Sequence, residues 1–311
     1  MTLTKYPNAV AEKSVKTKIR LTGKDKAFYT VVGVILLFLL LTVLYPLIYI
    51  ISASFSSPSA VSVGRVVLWP VDLSLKGYEA VFSYGPVFIG YRNTLFYTAA
   101  GTFINVAMTL IAAYPLARKG LPGKGFFTFL FTFTMLFNGG MIPTYILMRD
   151  LDLINTPWVM IIPGAIGVTN LIITRTFLQN SIPAELLEAS QIDGCSDAKY
   201  FWSVVLPLSK AVIAVITLYY AVGHWNAYFN AFLYISDKKL YPLQLYLREI
   251  LVMNQVETDL TIDPELAVAR QGMADLLKYS LIVVSTAPIL CLYPFVQRYF
   301  IKGVMVGSLK G

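Results

Sequence analysis

The chain has 311 residues, 57% of them hydrophobic and only 14% charged, with a mean hydropathy of +0.66. That composition excludes an ordinary soluble globular domain and reads as a polytopic membrane protein. The formal net charge of +8, from 25 Lys and Arg against 17 Asp and Glu, would suggest a nucleic-acid partner only in a soluble chain, so its distribution decides its meaning.

A soluble prior of roughly 100–200 residues per domain would divide the chain in two. A bundle embedded in lipid hides apolar surface without a second core, so one membrane domain is expected. Cys195 and Cys291 stand far apart without metal-ligand spacing, so neither a disulfide framework nor a metal site is expected.

Crossing a bilayer core takes roughly 20 apolar residues in a helix, and six stretches meet that length with few charges inside: 27–50, 93–117, 126–148, 158–178, 208–235 and 279–297. The first, from Ala27 through Ile51, is too long for a signal-peptide core and lacks a small-residue cleavage site, so it is expected to remain as a helix. Six spans put both termini on one side. That side carries 16 Lys and Arg, seven of them in the first 26 residues, against nine on the other. The positive-inside rule therefore places both termini in the cytoplasm. With six acids inside and eleven outside, the excess is +10 inside and −2 outside, which orients a bundle and removes the case for nucleic acid.

The expected organisation is a basic cytoplasmic tail over 1–26, a six-helix membrane domain over 27–297 and a cytoplasmic tail over 298–311. External segments 52–92 and 236–277 exceed what a helix connection needs and hold turn formers and aromatics, so folded surface is expected there. No internal repeat or low-complexity tract is evident.

The longest internal loop, 179–207, is the most informative segment. Pro183 suits a helix start, Glu185 and Glu188 lie toward the positive end of the dipole, and Gly194 suits the left-handed residue past the C-terminus. Leu206-Pro207 then opens the fifth span. A short capped helix leading into a membrane helix follows. Four of the six inside acids, Glu185, Glu188, Asp193 and Asp197, fall in this loop.

Glu188-Ala189-Ser190, three residues, Gly194, nine residues, then Val204, Val205 and Leu206-Pro207 resembles the Glu-Ala-Ala loop of ABC-importer permeases. Ser190 stands for the second Ala and Val204 for Ile. Phe137-Asn138-Gly139-Gly140-Met141-Ile142-Pro143, His224-Trp225-Asn226 and the tail from Gln297 to Gly311 extend the resemblance to the carbohydrate branch, the maltose-type second subunit. The Asn-Gly-Gly-Met-Ile-Pro stretch and Tyr241-Pro242-Leu243-Gln244 are similar to permeases for complex or acidic oligosaccharides.

The resemblance implies an all-α type I importer fold in the bacterial inner membrane, paired with a second homologous permease, two copies of a cytoplasmic ATPase and an extracytoplasmic solute-binding protein. It implies coupling through the 183–194 helix, with Glu185, Glu188, Ala189, Ser190, Asp193, Gly194, Leu206 and Pro207 as the coupling residues. ATP and magnesium would bind the partner ATPase, and this chain would hold no cofactor.

Sugars are bound by aromatic faces against C–H surfaces and by amides against hydroxyls. Trp225, Asn226, Tyr228 and Asn230 in the fifth span and Asn138 in the third offer such groups. Helical spacing from Gly223 to Tyr234 places Asn226 and Asn230 one turn apart on a single stripe, beside aromatics on the next. Interhelical packing is the competing reading for Trp225 and Asn226. His224 reads as a hydrogen-bonded structural residue, Asn93, Asn105 and Asn170 stay open between roles, and the break at Asn138-Gly139-Gly140 and Pro143 reads as a gating bend or as close packing.

An enzyme has little to work with, since zinc and nucleophile motifs are absent from the sequence and it holds one histidine. Gly120-Leu121-Pro122-Gly123-Lys124-Gly125 is too short to cradle phosphates. The alternative of an ion-coupled secondary transporter calls for intramembrane carboxylates, and the six stretches drawn above contain none.

Overall fold

The computed structural model describes residues 22–256 and 271–291. Most of the basic tail, the external acids Glu257, Asp259, Asp263 and Glu265, and the tail 298–311 lie outside the described residues. Every regular element among the described residues is helical. The chain divides into two units, Met1–Ile48 and Tyr49–Gly311.

The first unit holds most of α1 (Gly23–Ser54). Thr22 and Asp25 cap its start reciprocally: the Thr22 hydroxyl donates to Asp25 Oδ2 at 2.6 Å, and the Asp25 N–H donates to the Thr22 hydroxyl oxygen at 3.4 Å. The Thr22 hydroxyl and the Thr22 N–H, both donating to Asp25 Oδ2, hold the Asp25 carboxyl below its ordinary value. The helix has 32 residues and no polar stripe, as expected of a helix surrounded by lipid.

In the second unit, the segment 52–92 is folded, as its composition implies. It carries α2 (Pro58–Ser62), α3 (Lys76–Ser83) and the first turns of α4 (Gly85–Ala117). Ser52 donates to the Leu68 carbonyl at 2.6 Å, the Val71 N–H donates to Ser56 Oγ at 3.0 Å, and Arg65 pairs with Asp72 at 2.8 Å. Ala53, Ala60, Val61, Val66 and Leu276 form the small core beneath; Leu276 comes from α14 (Gln271–Cys291).

The central element is α4, which packs most extensively on α11 (Lys210–Trp225) and then on α7 (Val168–Ser181) and α13 (Leu243–Val256). Its residues Asn93, Tyr97, Gly101, Asn105, Thr109 and Ala113 recur every fourth position and are all buried. They form one ridge that interdigitates with its neighbours.

Among the described residues three helices are long and apolar enough to cross a membrane: α1, α4 and α14. Two further candidates are bent pairs. The expected span 126–148 is α5 (Lys124–Leu136) and α6 (Met141–Asp150), meeting at 113°. At the break the Gly140 N–H donates to Asn138 Oδ1 at 2.8 Å, and Gly140 has φ +89°, a turn that only glycine adopts without strain. The other pair is Asp197–Leu208 with Lys210–Trp225, bent by 79°.

Two expected spans are therefore less continuous than apolar length alone suggests. Residues 158–178 begin with a 3-10 turn, Pro157–Met160, run irregularly over 161–167 and become helical only at α7. Residues 208–235 hold α11, a break at 226–228 and then α12 (Phe229–Tyr234).

Irregular backbone in a membrane needs partners from its neighbours, and α4 and α11 supply them. Asn105 donates through Nδ2 to the Gly164 carbonyl, and the Gly167 N–H donates to the Tyr220 hydroxyl at 2.9 Å. The same hydroxyl meets Thr109 at 2.7 Å. His224 Nε2 lies 2.6 Å from Asn105 Oδ1. Because Asn105 spends its donor on Gly164, its oxygen is the acceptor and His224 carries the proton on Nε2. His224 is thus the structural residue expected.

At the opposite end of α4, Asn93 donates to the Lys239 and Tyr241 carbonyls at 2.7 and 3.0 Å, Tyr97 donates to the Leu240 carbonyl at 2.8 Å, and the Leu243 N–H donates to Thr94 at 2.9 Å. The start of the segment 236–277, with its 3-10 turn Lys238–Leu240, is clamped to α4. Asn93 and Asn105 both satisfy backbone.

Candidate functional site

Two places gather the residues singled out above, one near each end of α4. The first is α8 (Ala184–Ile192), preceded by Pro183, which sits just before the helix with ψ 140° and no side-chain cap. Its far end is closed by two bonds: the Cys195 N–H donates to the Ser190 carbonyl at 2.9 Å and the Gly194 N–H to the Gln191 carbonyl at 3.1 Å. This is the Schellman arrangement, and it needs a left-handed residue; Gly194 has φ +69°. A Cβ at Gly194 would meet nothing within 4 Å, so within this chain its backbone angle, and no crowding neighbour, demands glycine.

One side of α8 is anchored. Leu187, Cys195 and Ile182 pack on the cluster of Ala113, Leu116, Leu171, Leu178, Tyr200 and Val205. Ser190 is partly buried and donates to the Leu187 carbonyl at 2.7 Å. The other side faces outward: Glu185, Glu188, Ala189, Asp193 and Gly194 are exposed, and so are Leu186 and Ile192, the latter 87% exposed. A ridge of carboxylates beside bare aliphatic groups is the chemistry of a protein contact.

Downstream, the Ser196 hydroxyl caps α9 (Asp197–Tyr200), and a π turn, Phe201–Val205, runs into α10 (Leu206–Leu208). Pro207 cannot donate to the helical ladder, and Ser209 bonds back to the Val205 carbonyl through its N–H at 3.0 Å and its hydroxyl at 2.6 Å. The expected direct entry into the fifth span is therefore a bend, caused by the proline and by serine back-bonding. Leu206 packs beside Leu110, Val212 and Ile216.

The composition of the loop did not single out how the same end is tied to α4. Arg118 pairs with Asp197 at 2.7 Å. The rings of Tyr114 and Phe201 meet at 5.1 Å. Arg175 and Gln179 of α7 donate to the Leu116 and Ala117 carbonyls at 3.3 and 3.4 Å, and Lys124 donates to the Arg118 carbonyl at 3.0 Å. Cations at a helix C-terminus satisfy its free carbonyls and its dipole.

The second place holds the sugar-pathway candidates, which the structure separates. Trp225 is 4% exposed, donates through Nε1 to the Ser285 carbonyl at 3.0 Å, and meets Tyr91 edge-on at 6.3 Å. It is packing between α11, α4 and α14. Asn226 ends α11 and donates to the Val222 carbonyl at 2.9 Å. The break that follows corrects the single amide stripe: Asn226 and Asn230 do not share one continuous helix. Asn226, Tyr228 and Asn230 are exposed, and Asn138 builds the turn between α5 and α6.

Two residues that the periodicity did not connect complete this surface. Gln244 Nε2 lies 3.5 Å from Asn226 Oδ1. The Arg248 guanidinium sits over the Phe232 ring, 4.0 Å from its centroid.

A family model described as a binding-protein-dependent transport system inner membrane component matches residues 58–306. The polygalacturonan/rhamnogalacturonan transport system permease protein YtcP of Bacillus subtilis (strain 168) is 40% identical over 280 residues, covering 90% of this chain and 96% of the relative. The protein LplC of the same organism is 41% identical over 268 residues, covering 86% and 89%. A chain in the crystal structure of a bacterial ABC transporter involved in the import of the acidic polysaccharide alginate superimposes with a TM-score of 0.80 at 36% identity, covering 90% of this chain and 99% of that one.

Proposed function

The chain belongs to the family of binding-protein-dependent transport system inner membrane components, and we propose that it forms one half of the membrane pathway of an ATP-driven importer for acidic oligosaccharides. The observation that carries this reading is α8: a short helix anchored by Leu187 and Cys195, with Glu185, Glu188 and Asp193 presented outward.

In this reading the exposed face of α8 enters a cleft of a cytoplasmic ATPase, of which two copies serve this chain and a second homologous permease. ATP and its magnesium bind those partners, and this chain performs no chemistry of its own. Both termini lie in the cytoplasm, in keeping with the +10 and −2 split of charge. Closure of the ATPase pair moves α8, and that motion reaches the membrane through α9, the π turn and α11. An extracytoplasmic binding protein delivers the sugar to the opposite face, where 236–256 lies. The names of the two acidic-polysaccharide relatives support the cargo class.

The test is purification of the assembled complex with its binding protein, followed by ATPase measurement with added saccharides. Stimulation by trigalacturonate or a guluronate oligomer is the expected result. Uptake that runs on an ion gradient without ATP overturns the proposal.

A further inference from the structure

Two helical rows face one another where α12 meets α13. Tyr228, which caps the start of α12, and Phe232 are one turn apart and joined by a 2.8 Å backbone hydrogen bond; both rings are exposed. On α13, Gln244 and Arg248 are one turn apart and share a face. The rows touch at two corners, Asn226 with Gln244 and Phe232 with Arg248. Two amides, two aromatic rings and one guanidinium thus lie on one surface patch.

The stacking of Arg248 is the informative part. A guanidinium lying over a ring is held by cation–π attraction and loses water from one face. Its N–H donors lie in its own plane and stay available for a planar, two-oxygen acceptor. Among the described residues Arg248 makes no ion pair. Arg248 is only partly buried, so an anion has access.

We propose that Asn226, Tyr228, Phe232, Gln244 and Arg248 form a subsite for one uronic acid unit, with Arg248 binding its carboxylate. Tyr228 takes the C–H face of the pyranose, Phe232 holds the guanidinium in place, and the amides take the sugar hydroxyls. A neutral hexose satisfies Tyr228 and the amides but leaves the guanidinium without a counter-charge, so the patch selects acidic over neutral saccharides. This rests on the sugar-import reading above and adds which residue reads the charge.

The test is equilibrium binding of trigalacturonate and of neutral galactotriose to the assembled permease and ATPase complex in nanodiscs, without the binding protein. The expected preference for the acid is about tenfold or more, the scale of a charge-assisted bidentate contact. Arg248→Gln removes that preference while galactotriose affinity changes little, and Arg248→Lys, which keeps charge but not the planar fork, lies between. An undiminished preference in Arg248→Gln overturns the assignment, whether or not association with the binding protein weakens. Equal loss of both sugars, with Arg248→Lys no better than Arg248→Gln, marks a packing role and also overturns it. If the unaltered complex binds neither sugar and no saccharide stimulates its ATPase, the cargo reading itself falls, an outcome distinct from failure at Arg248.

Discussion

Arg118, just past the end of α4, and Asp197, at the start of α9, meet at 2.7 Å and tie the segment after α8 to the most connected helix of the fold. The chain path from α8 into α11 passes a π turn and a 79° bend. The ion pair, backed by the Tyr114 and Phe201 rings, is a second route from α8 into the membrane, one that bypasses the bend.

Breaking that link is expected to uncouple the transporter without unfolding it. The Asp197 side chain is 65% exposed, and such a pair contributes only about 0.2–1 kcal/mol to stability. Arg118→Ala or Asp197→Ala should leave the subunit in the membrane with its ATPase bound, while sugar uptake per ATP hydrolysed falls several-fold. The charge swap Arg118→Asp with Asp197→Arg should recover part of the loss. Parallel loss of assembly in the single variants would show that the pair is structural.

At the tip of the same loop, Gly194 separates backbone from side-chain requirements. A residue with a Cβ in the left-handed region costs about 1–2 kcal/mol, and Asn tolerates it best. Because a Cβ there meets nothing in this chain, Gly194→Asn should keep much of the uptake if the backbone angle is what matters. Gly194→Val should lose it. Equal loss in both would locate the constraint in the partner's groove. Glu188→Lys, which leaves the helix cap untouched, should abolish substrate-stimulated ATPase activity with the subunit still in the membrane.

Trp225 and Asn226, adjacent in sequence, should respond in opposite ways. Trp225→Ala removes a buried ring and its hydrogen bond to the Ser285 carbonyl, a loss on the order of 3–5 kcal/mol. A large drop in the melting temperature of the detergent-solubilised complex is expected, irrespective of sugar. Asn226→Ala touches an exposed side chain whose bonds are to its own helix and to Gln244. It should leave melting within a degree or two and lower saccharide stimulation instead.

The contrast between those two residues shows what the sequence could and could not reveal. α1 and most of α4 were legible because an uninterrupted apolar run has one solution in lipid; α14 was legible only from 279 on, and its first turns, which carry Asp275 and Lys278, start eight residues earlier than the apolar run. α8 was legible because Pro183, Glu185 and Gly194 act locally. The break at 226–228 was not, because Asn226-Ala227-Tyr228 holds neither Pro nor Gly; the break at 161–167 does carry Pro163, Gly164 and Gly167, turn signals that apolar length alone passes over. What stabilises 161–167 comes from Asn105 and Tyr220, each more than 50 positions away. The partners of Asn226 and Phe232 escaped for the same reason: Gln244 and Arg248 reach them across a helix junction that no periodicity encodes.

Gly101 is the pivot of that remote support. A Cβ on Gly101 would lie 2.4 Å from His224 Nε2, far inside contact distance, and helix backbone cannot retreat far in a packed ridge. Gly101→Ala should therefore displace the imidazole, release Asn105 from His224, and loosen the Asn105 bond that holds the Gly164 carbonyl. Overpacking of this kind costs about 1–3 kcal/mol, and the melting temperature of the complex should fall accordingly. His224→Ala also destabilises, through a cavity and a lost hydrogen bond, but it removes the group that a new methyl would strike. The double variant should therefore lose less than the two single losses combined. That non-additivity follows from direct contact; strictly additive losses would mean that the ring and Gly101 do not share the space the structure gives them.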